Sequence, residues 1–163
     1  MSQATREYPY KYFIALDGNG IDGLEGMAGV CAFHYDPSDN AYAFKIEYYD
    51  GVSGGHAVTL NPTGGLGFLG NVSQQFLLFD PTRLEEQERL TTLRYEVPET
   101  TLAGSTHAVW LDEKTFLTAI GQNFYRFDVN QLHKGERLGP HQVKIPHAIK
   151  VSASGRHIAY GSM

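Results

Sequence analysis

Three histidines begin nearly the same six-residue pattern at three places in the 163-residue sequence. The segments start at His56, His107 and His147 and read HAVTLN, HAVWLD and HAIKVS. Neutral imidazole is the commonest metal ligand near neutral pH, and three or four such nitrogens suit iron, zinc, copper or nickel. If the fold brings these three histidines to one axis, we therefore expect a metal centre there.

The spacing of the pattern indicates a repeated structural unit. The three starts are 51 and then 40 residues apart, and a glycine follows each histidine by 14 positions, at Gly70, Gly121 and Gly161. Aromatic–aspartate pairs recur between them, at Tyr35–Asp36, Phe79–Asp80 and Phe127–Asp128. A period of about 40 to 50 residues made of short strands is typical of a β-propeller blade.

The elements that must position the histidines are short strands. The sequence has 18 Gly, 10 Tyr and 9 Phe, and segments rich in aromatic and β-branched residues are bounded by turn residues. The predicted strands cover 10–16, 30–35, 41–49, 56–60, 76–79, 90–95, 107–111, 116–120, 124–129 and 149–151. The one candidate helix, 82–93, is interpreted as a polar turn that leads into a strand.

The positions of the repeats predict four blades in one partial β-propeller that covers residues 1–163. Blade 1, at about 10–50, lacks its inner strand; blade 2 covers about 56–95, blade 3 about 107–144, and blade 4, at 147–163, is incomplete. We expect Phe76, Leu78, Trp110 and Phe124 to lie between blades, and Val109, Leu111, Phe116 and Ile120 to form the core of blade 3.

The staggered start resembles the overlapped closure of large β-propellers, and the segment HAVTLNPTG resembles the lactonase-like, YVTN-type repeats. The fold class is therefore predicted as all-β, with about three to three and a half four-stranded blades of a larger ring, because about four to eight blades close a ring. We expect the N-terminal part of a longer protein, completed by a second polypeptide or by further copies. A self-contained β-sandwich is the alternative.

One histidine from each of several blades around an axis resembles the carotenoid-cleavage oxygenase family, a seven-bladed group with an iron held by four histidines. The resemblance implies that His56, His107 and His147 correspond to three of those ligands. It favours Fe(II), with zinc or another divalent metal as alternatives, and oxygenation of a small organic substrate. Metal-assisted lactonase or lyase chemistry is a second possibility, and catalytic residues other than the ligands are not identified.

A structural role for the same histidines stays open. A histidine before an inner strand can cap a turn or form a hydrogen bond across blades, and duplication would copy it into every blade without any metal. The protein would then be a non-catalytic propeller that presents its loops to a partner protein. The other four histidines, at positions 34, 133, 141 and 157, have no counterparts in the repeat and are interpreted as structural.

Composition excludes several classes of function. The formal net charge is −5, with only 13 Lys and Arg, whereas binding of nucleic acid phosphates needs clustered basic residues. The sequence contains no run of 18 apolar residues, so no membrane span is predicted. The single cysteine, Cys31, and the polar first eight residues predict a cytoplasmic protein.

Overall fold

The protein is built of short antiparallel strands. The computed structural model describes residues 12–38, 40–72, 76–81, 106–142 and 146–162. Within these ranges it has one 3-10 turn, Leu132–Lys134, and strands β1 (Tyr12–Asp17), β2 (Ala28–Asp36), β3 (Ala41–Tyr49), β4 (Ala57–Leu60), β5 (Gly67–Gly70), β6 (Leu77–Phe79), β7 (Ala108–Trp110), β8 (Thr115–Ile120), β9 (Asn123–Asp128), β10 (Glu136–Pro140), β11 (Pro146–Val151) and β12 (Ile158–Ser162).

The strands form four sheets in chain order, and every pairing is antiparallel. The orders are β1-β2-β3 in the first sheet, β4-β5-β6 in the second, β7-β8-β9-β10 in the third and β11-β12 in the fourth. The third sheet has four strands in up-and-down order, from Ala108 to Pro140. The predicted strand at 90–95 and the candidate helix at 82–93 lie outside the described residues.

Aspartates end several of the strands in tight turns. Asp36 and Asp128, the last residues of β2 and β9, accept hydrogen bonds from the backbone N–H of Ser38 at 2.9 Å and of Asn130 at 2.8 Å. Such side chain to backbone bonds mimic a turn and compete with continued strand pairing. The recurring aromatic–aspartate pair therefore marks a strand end at these two places.

Neighbouring sheets pack face to face through apolar residues. Residues of the first and second sheets share one buried cluster, which includes Val30, Ala32, Leu69, Leu77 and Phe79. A second buried cluster joins the second and third sheets and contains four phenylalanines, here called the phenylalanine cluster: Phe68, Phe76, Phe116 and Phe127. Sheets stacked in chain order in this way are the architecture of propeller blades.

The residues expected between blades are found there. Phe76 and Leu78 belong to the second buried cluster, and the indole N–H of Trp110 in β7 donates to the Thr59 carbonyl of β4 at 3.3 Å. The ring of Phe124 in β9 contacts Tyr160 of β12, with centroids 4.9 Å apart. In contrast, Leu111 was expected in the core of the third blade, and that prediction is wrong. Its side chain is 42% exposed because it follows the end of β7.

The glycines 14 positions after the histidines are not all equivalent. Gly70 pairs with Ala57, and Gly161 pairs with Ala148, so these two occupy the same register in the second and fourth sheets. In the third sheet the residue that pairs with Ala108 is Thr118. Gly121 instead lies in the turn after β8, with a φ of 57°, a conformation that favours glycine.

The first sheet meets the second in the same way as the second meets the third. A Cβ on Gly55, just before β4, would lie 2.1 Å from the carbonyl oxygen of Leu16, near the end of β1. A Cβ on Gly70, at the end of β5, would lie 1.8 Å from the carbonyl oxygen of Thr106, just before β7. The end of β1 thus corresponds to the end of β5, a second strand. The prediction that the first blade lacks its inner strand stays a prediction, because residues 1–11 lie outside the described residues.

Candidate functional site

The three repeated histidines lie at the starts of the first strands of the second, third and fourth sheets. The backbone N–H of His56 donates to the Gly70 carbonyl at 2.8 Å, and the carbonyl of His107 accepts a hydrogen bond of 2.7 Å from the Thr118 hydroxyl. His147 is the second residue of β11, at a shift in its pairing with β12. Each histidine is therefore tied to the second strand of its own sheet.

The three imidazoles converge, as the repeat predicts. The ring centroid of His147 lies 5.0 Å from that of His56 and 5.3 Å from that of His107. The interplanar angles are 84° and 52°, so neither pair is a parallel stack. These rings come from three sheets and are called the histidine cluster below. His107 and His147 are half-buried, whereas His56 is exposed.

Convergence of the rings makes protonation unfavourable. The pKa of His107 is lowered to about 4 by burial and then by the neighbouring charges of His147, His56 and Lys150. The pKa of His56 is lowered by burial and by His147, while the nearby Asp17 carboxylate acts in the opposite direction. Desolvation and like charge both disfavour the cationic form of imidazole. At neutral pH His107 therefore has lone-pair nitrogen available for a ligand.

The buried nitrogen Nδ1 of His107 has no hydrogen-bond partner in the described structure. A buried polar atom without a partner is uncommon in proteins, since it costs free energy relative to the hydrated unfolded chain. Here the unpartnered atom belongs to a neutral imidazole with two other imidazoles close by. Its environment suits either an additional ligand or a bridging water.

The spacing of the rings can be compared with that of imidazoles on one ion. With metal–nitrogen bonds of about 2.0 to 2.1 Å, two imidazoles on a tetrahedral ion have ring centroids roughly 5 Å apart. The separations of 5.0 and 5.3 Å match this value. In the described part of the chain, however, no three His, Cys, Asp or Glu side chains already have their ligand atoms arranged around one point. The rings would have to turn about their side-chain torsions to share an ion.

The four remaining histidines lie apart from the cluster. His141 is buried, and its ring packs against Phe124 at 5.0 Å and Tyr160 at 5.7 Å. The backbone N–H of His157 donates to the Ser152 hydroxyl in the β11–β12 turn. His133 is in the 3-10 turn, and His34 is within β2. These positions agree with their interpretation as structural residues.

A carboxylate that sequence reasoning did not connect with the histidines lies beside His56. Asp17 is the last residue of β1, and its neighbour Leu16 touches Gly55 through its carbonyl oxygen. The negative charge of Asp17 opposes the lowering of the His56 pKa. No local pattern signals this pairing, because the two side chains are 39 positions apart and only the packing of the first sheet on the second brings them together.

The first strands of the second, third and fourth sheets also line a cavity of about 260 Å³ that lies along the same strands as the histidines. Its walls are mostly apolar, and Lys150 is the one charged residue among them. The lining residues are Thr59, Leu60, Pro62, Ala108, Val109, Trp110, Ile149 and Lys150.

Comparison with known proteins identifies the fold and no closer relationship. No family model matches the chain, and no curated protein matches it. Among solved structures it is similar to the dihydro-heme d1 dehydrogenase NirN in complex with DHE, with a TM-score of 0.51 and 10% sequence identity. The similarity covers 85% of this chain and 31% of NirN, so the chain spans about a third of that protein's length. NirN is a β-propeller protein, and the chain described here has the β-propeller fold.

A search for membrane-spanning helices gives one negative finding. Among the residues that the structure describes, no helix has the length and apolar character needed to cross a bilayer.

Proposed function

We propose that His56, His107 and His147 hold a divalent metal ion on the axis of a β-propeller enzyme. The observation that carries the proposal is the meeting of three imidazoles from three sheets, at ring separations of 5.0 and 5.3 Å. Packing of equivalent blades brings the three positions together but does not satisfy the buried Nδ1 of His107. A shared ligand gives such a reason, because it binds the nitrogens that face one another.

The chain's own residues prepare this site in three ways. Burial and the neighbouring rings keep His107 neutral, which is the form that binds a metal. The inner strands fix the three backbones through hydrogen bonds such as that from His56 to Gly70, so that only side-chain rotation remains. Asp17 is near enough to orient His56 through its charge, which is the usual role of a carboxylate behind a metal-binding imidazole.

Fe(II) is the favoured metal, and oxygenation of a small organic substrate is the favoured reaction. A ferrous ion held by imidazoles with open coordination positions supplies activation of O₂. NirN is described as a dehydrogenase, so a redox enzyme is known on a similar fold, although fold alone does not define function. Zinc with hydrolase or lyase chemistry is the second choice.

The experiment compares metal content and O₂ consumption in the wild type, in His147→Ala and in His157→Ala. His147 contacts both other rings of the cluster, whereas His157 lies in a turn outside it. We expect about one Fe(II) per chain in the wild type and in His157→Ala, and loss of both metal and O₂ consumption in His147→Ala. Zinc uptake with ester or lactone hydrolysis and no O₂ consumption would replace the oxygenase by a hydrolase. If the wild type held no stoichiometric metal, the metal site would be ruled out and the histidines would be assigned a structural role.

We also propose that further blades, from a second polypeptide or from further copies, complete the ring. One side of the first sheet carries five exposed large apolar residues, here called the open face: Tyr12, Ile14, Tyr42, Phe44 and Ile46. The opposite side of this sheet contributes Val30 and Ala32 to the buried cluster with the second sheet. Exposed apolar patches of this kind mark contact surfaces. This surface also favours the alternative of a propeller that binds a partner protein.

A further inference from the structure

The cavity along the first strands of the second, third and fourth sheets has its own recognition chemistry. Its volume of about 260 Å³ is enough for a small organic molecule rather than for water alone. Leu60, Val109 and Ile149 provide aliphatic surface, and Trp110 adds an aromatic ring. A ligand of this cavity therefore has an apolar body.

The indole of Trp110 is held in a fixed position. Its N–H donates to the Thr59 carbonyl at 3.3 Å, across the boundary between the second and third sheets. Its ring also packs against Phe116, with centroids 5.1 Å apart. Both contacts restrict the side chain, so a ligand meets a preformed aromatic wall and does not have to order it.

Two residues of the cavity wall have polar groups that lack partners within the described residues. The hydroxyl oxygen of Thr59 is buried and forms no hydrogen bond. Lys150 lines the same cavity, and no carboxylate pairs with it in the described part of the chain. Its positive charge is close enough to His107 to contribute to the lowering of that residue's pKa. The ammonium of Lys150 is suited to bind an anionic oxygen, whereas the Thr59 hydroxyl is too deeply buried to reach one.

We propose that this cavity binds a small organic anion, with its carboxylate at Lys150 and its apolar body against Trp110. The inference goes beyond the metal site, because it depends on none of the three histidine side chains. The cavity and the histidine cluster nevertheless share the inner strands, since His107 immediately precedes Ala108 in the cavity wall. An anion bound here would lie next to the histidine cluster.

The test uses the only tryptophan of the sequence as a reporter. Hexanoate and its neutral counterpart hexanamide are titrated into the metal-free protein at constant ionic strength while Trp110 fluorescence is recorded. We expect saturable binding of hexanoate that is about tenfold tighter than that of hexanamide, because hydrogen bonds to a charged group contribute more than neutral ones. Equal binding of the two compounds, or no saturable change, would overturn the proposal.

Three variants identify the groups responsible. Lys150→Met should remove the preference for hexanoate while hexanamide binding is retained, and Thr59→Val should leave both affinities unchanged, because its hydroxyl is buried. Lys134→Met is the matched control, since Lys134 lies in the 3-10 turn outside the cavity, and it should bind as the wild type does. If Lys134→Met lost as much hexanoate binding as Lys150→Met, the effect would come from the overall charge of the protein, and the proposal would be wrong. Unfolding curves show whether each variant is folded, and hexanamide binding shows whether its cavity is intact.

Discussion

The phenylalanine cluster and the histidine cluster have similar spacing and opposite chemistry. Ring centroids in the phenylalanine cluster are 5.1 to 5.6 Å apart, and those in the histidine cluster are 5.0 and 5.3 Å apart. The four phenylalanines are almost completely buried. The histidines are partly exposed, and the buried Nδ1 of His107 has no partner.

The comparison distinguishes rings that stabilise the fold from rings that are candidates for binding a ligand. Burial of phenylalanine rings stabilises the fold in proportion to the apolar area removed from water. Bringing imidazoles together stabilises the fold far less, because each ring nitrogen loses its hydration. The chain therefore gains its stability between the sheets. We propose that a shared ligand explains the ordering of the histidines at the inner strands.

The largest effect is expected from the phenylalanine cluster. Phe116 is fully buried and contacts Phe68, Phe76 and Phe127. Replacing it by alanine should reduce the free energy of unfolding by about 3 to 5 kcal/mol, through lost burial and the cavity that remains. Urea unfolding measures this change.

The matched control is Phe44→Ala, in which the same ring is removed from a position that is 66% exposed. It should change the free energy of unfolding of one chain by less than about 0.5 kcal/mol, as is usual for surface substitutions. If Phe116→Ala cost no more than Phe44→Ala, packing between the second and third sheets would not be the main source of stability.

The second prediction concerns the open face of the first sheet. A charge introduced there by Phe44→Glu should prevent association with further blades, because a carboxylate would lose its hydration in an apolar contact. We expect sedimentation to show the wild type in an assembly larger than one chain, and the variant as single chains with unchanged circular dichroism. Leu138→Glu, at an exposed leucine of β10, is the control and should assemble normally. A monodisperse, stable wild-type monomer would contradict the prediction.

The third prediction is a pH dependence of stability in the metal-free protein. The pKa of His107 is about 4 in the folded chain, against an ordinary value of 6.5, so the folded state holds this imidazole in its neutral form. Its contribution is fully present above about pH 6.5 and is lost as the pH falls towards 4, since the unfolded chain then binds the additional proton. Unfolding measured at pH 7 and pH 4.5 should therefore show a smaller loss of stability in His107→Ala than in the wild type. An equal loss in the two proteins would mean that His107 is protonated in the folded state.

The sequence predicts the all-β propeller fold because hydrophobic patterning and turn residues are local signals. The bounds of β3, Ala41–Tyr49, agree with the prediction. No strand was predicted at β5, since its glycines resemble a turn. They are required by packing, as a Cβ on Gly67 would meet the ring of Phe79 and one on Gly70 would meet Thr106.

The candidate site was predictable only in part. The repeat identifies His56, His107 and His147 as equivalent, and the structure brings their rings together. Asp17 and Lys150 were not connected with the histidines. Asp17 lies outside the repeat, and the position of Lys150 is occupied by Thr59 and Trp110 in the other two segments, so that only the packing of sheets brings these charges close to the histidines. The spacing to Gly121 was misleading, because the turn between β7 and β8 is short and is held by hydrogen bonds from Lys114 and Thr115 to the Asp112 side chain.

The most direct test of the account is X-ray absorption at the zinc edge of the protein loaded with one equivalent of Zn²⁺. Zinc is used because it is redox-inert and binds imidazole at about 2.0 to 2.1 Å. The account predicts one tightly bound ion per chain, with scattering from three imidazoles in the wild type and from fewer in His107→Ala. An ion that is not retained, or one whose imidazole count is the same in the two proteins, would contradict the claim that the three histidines share a metal.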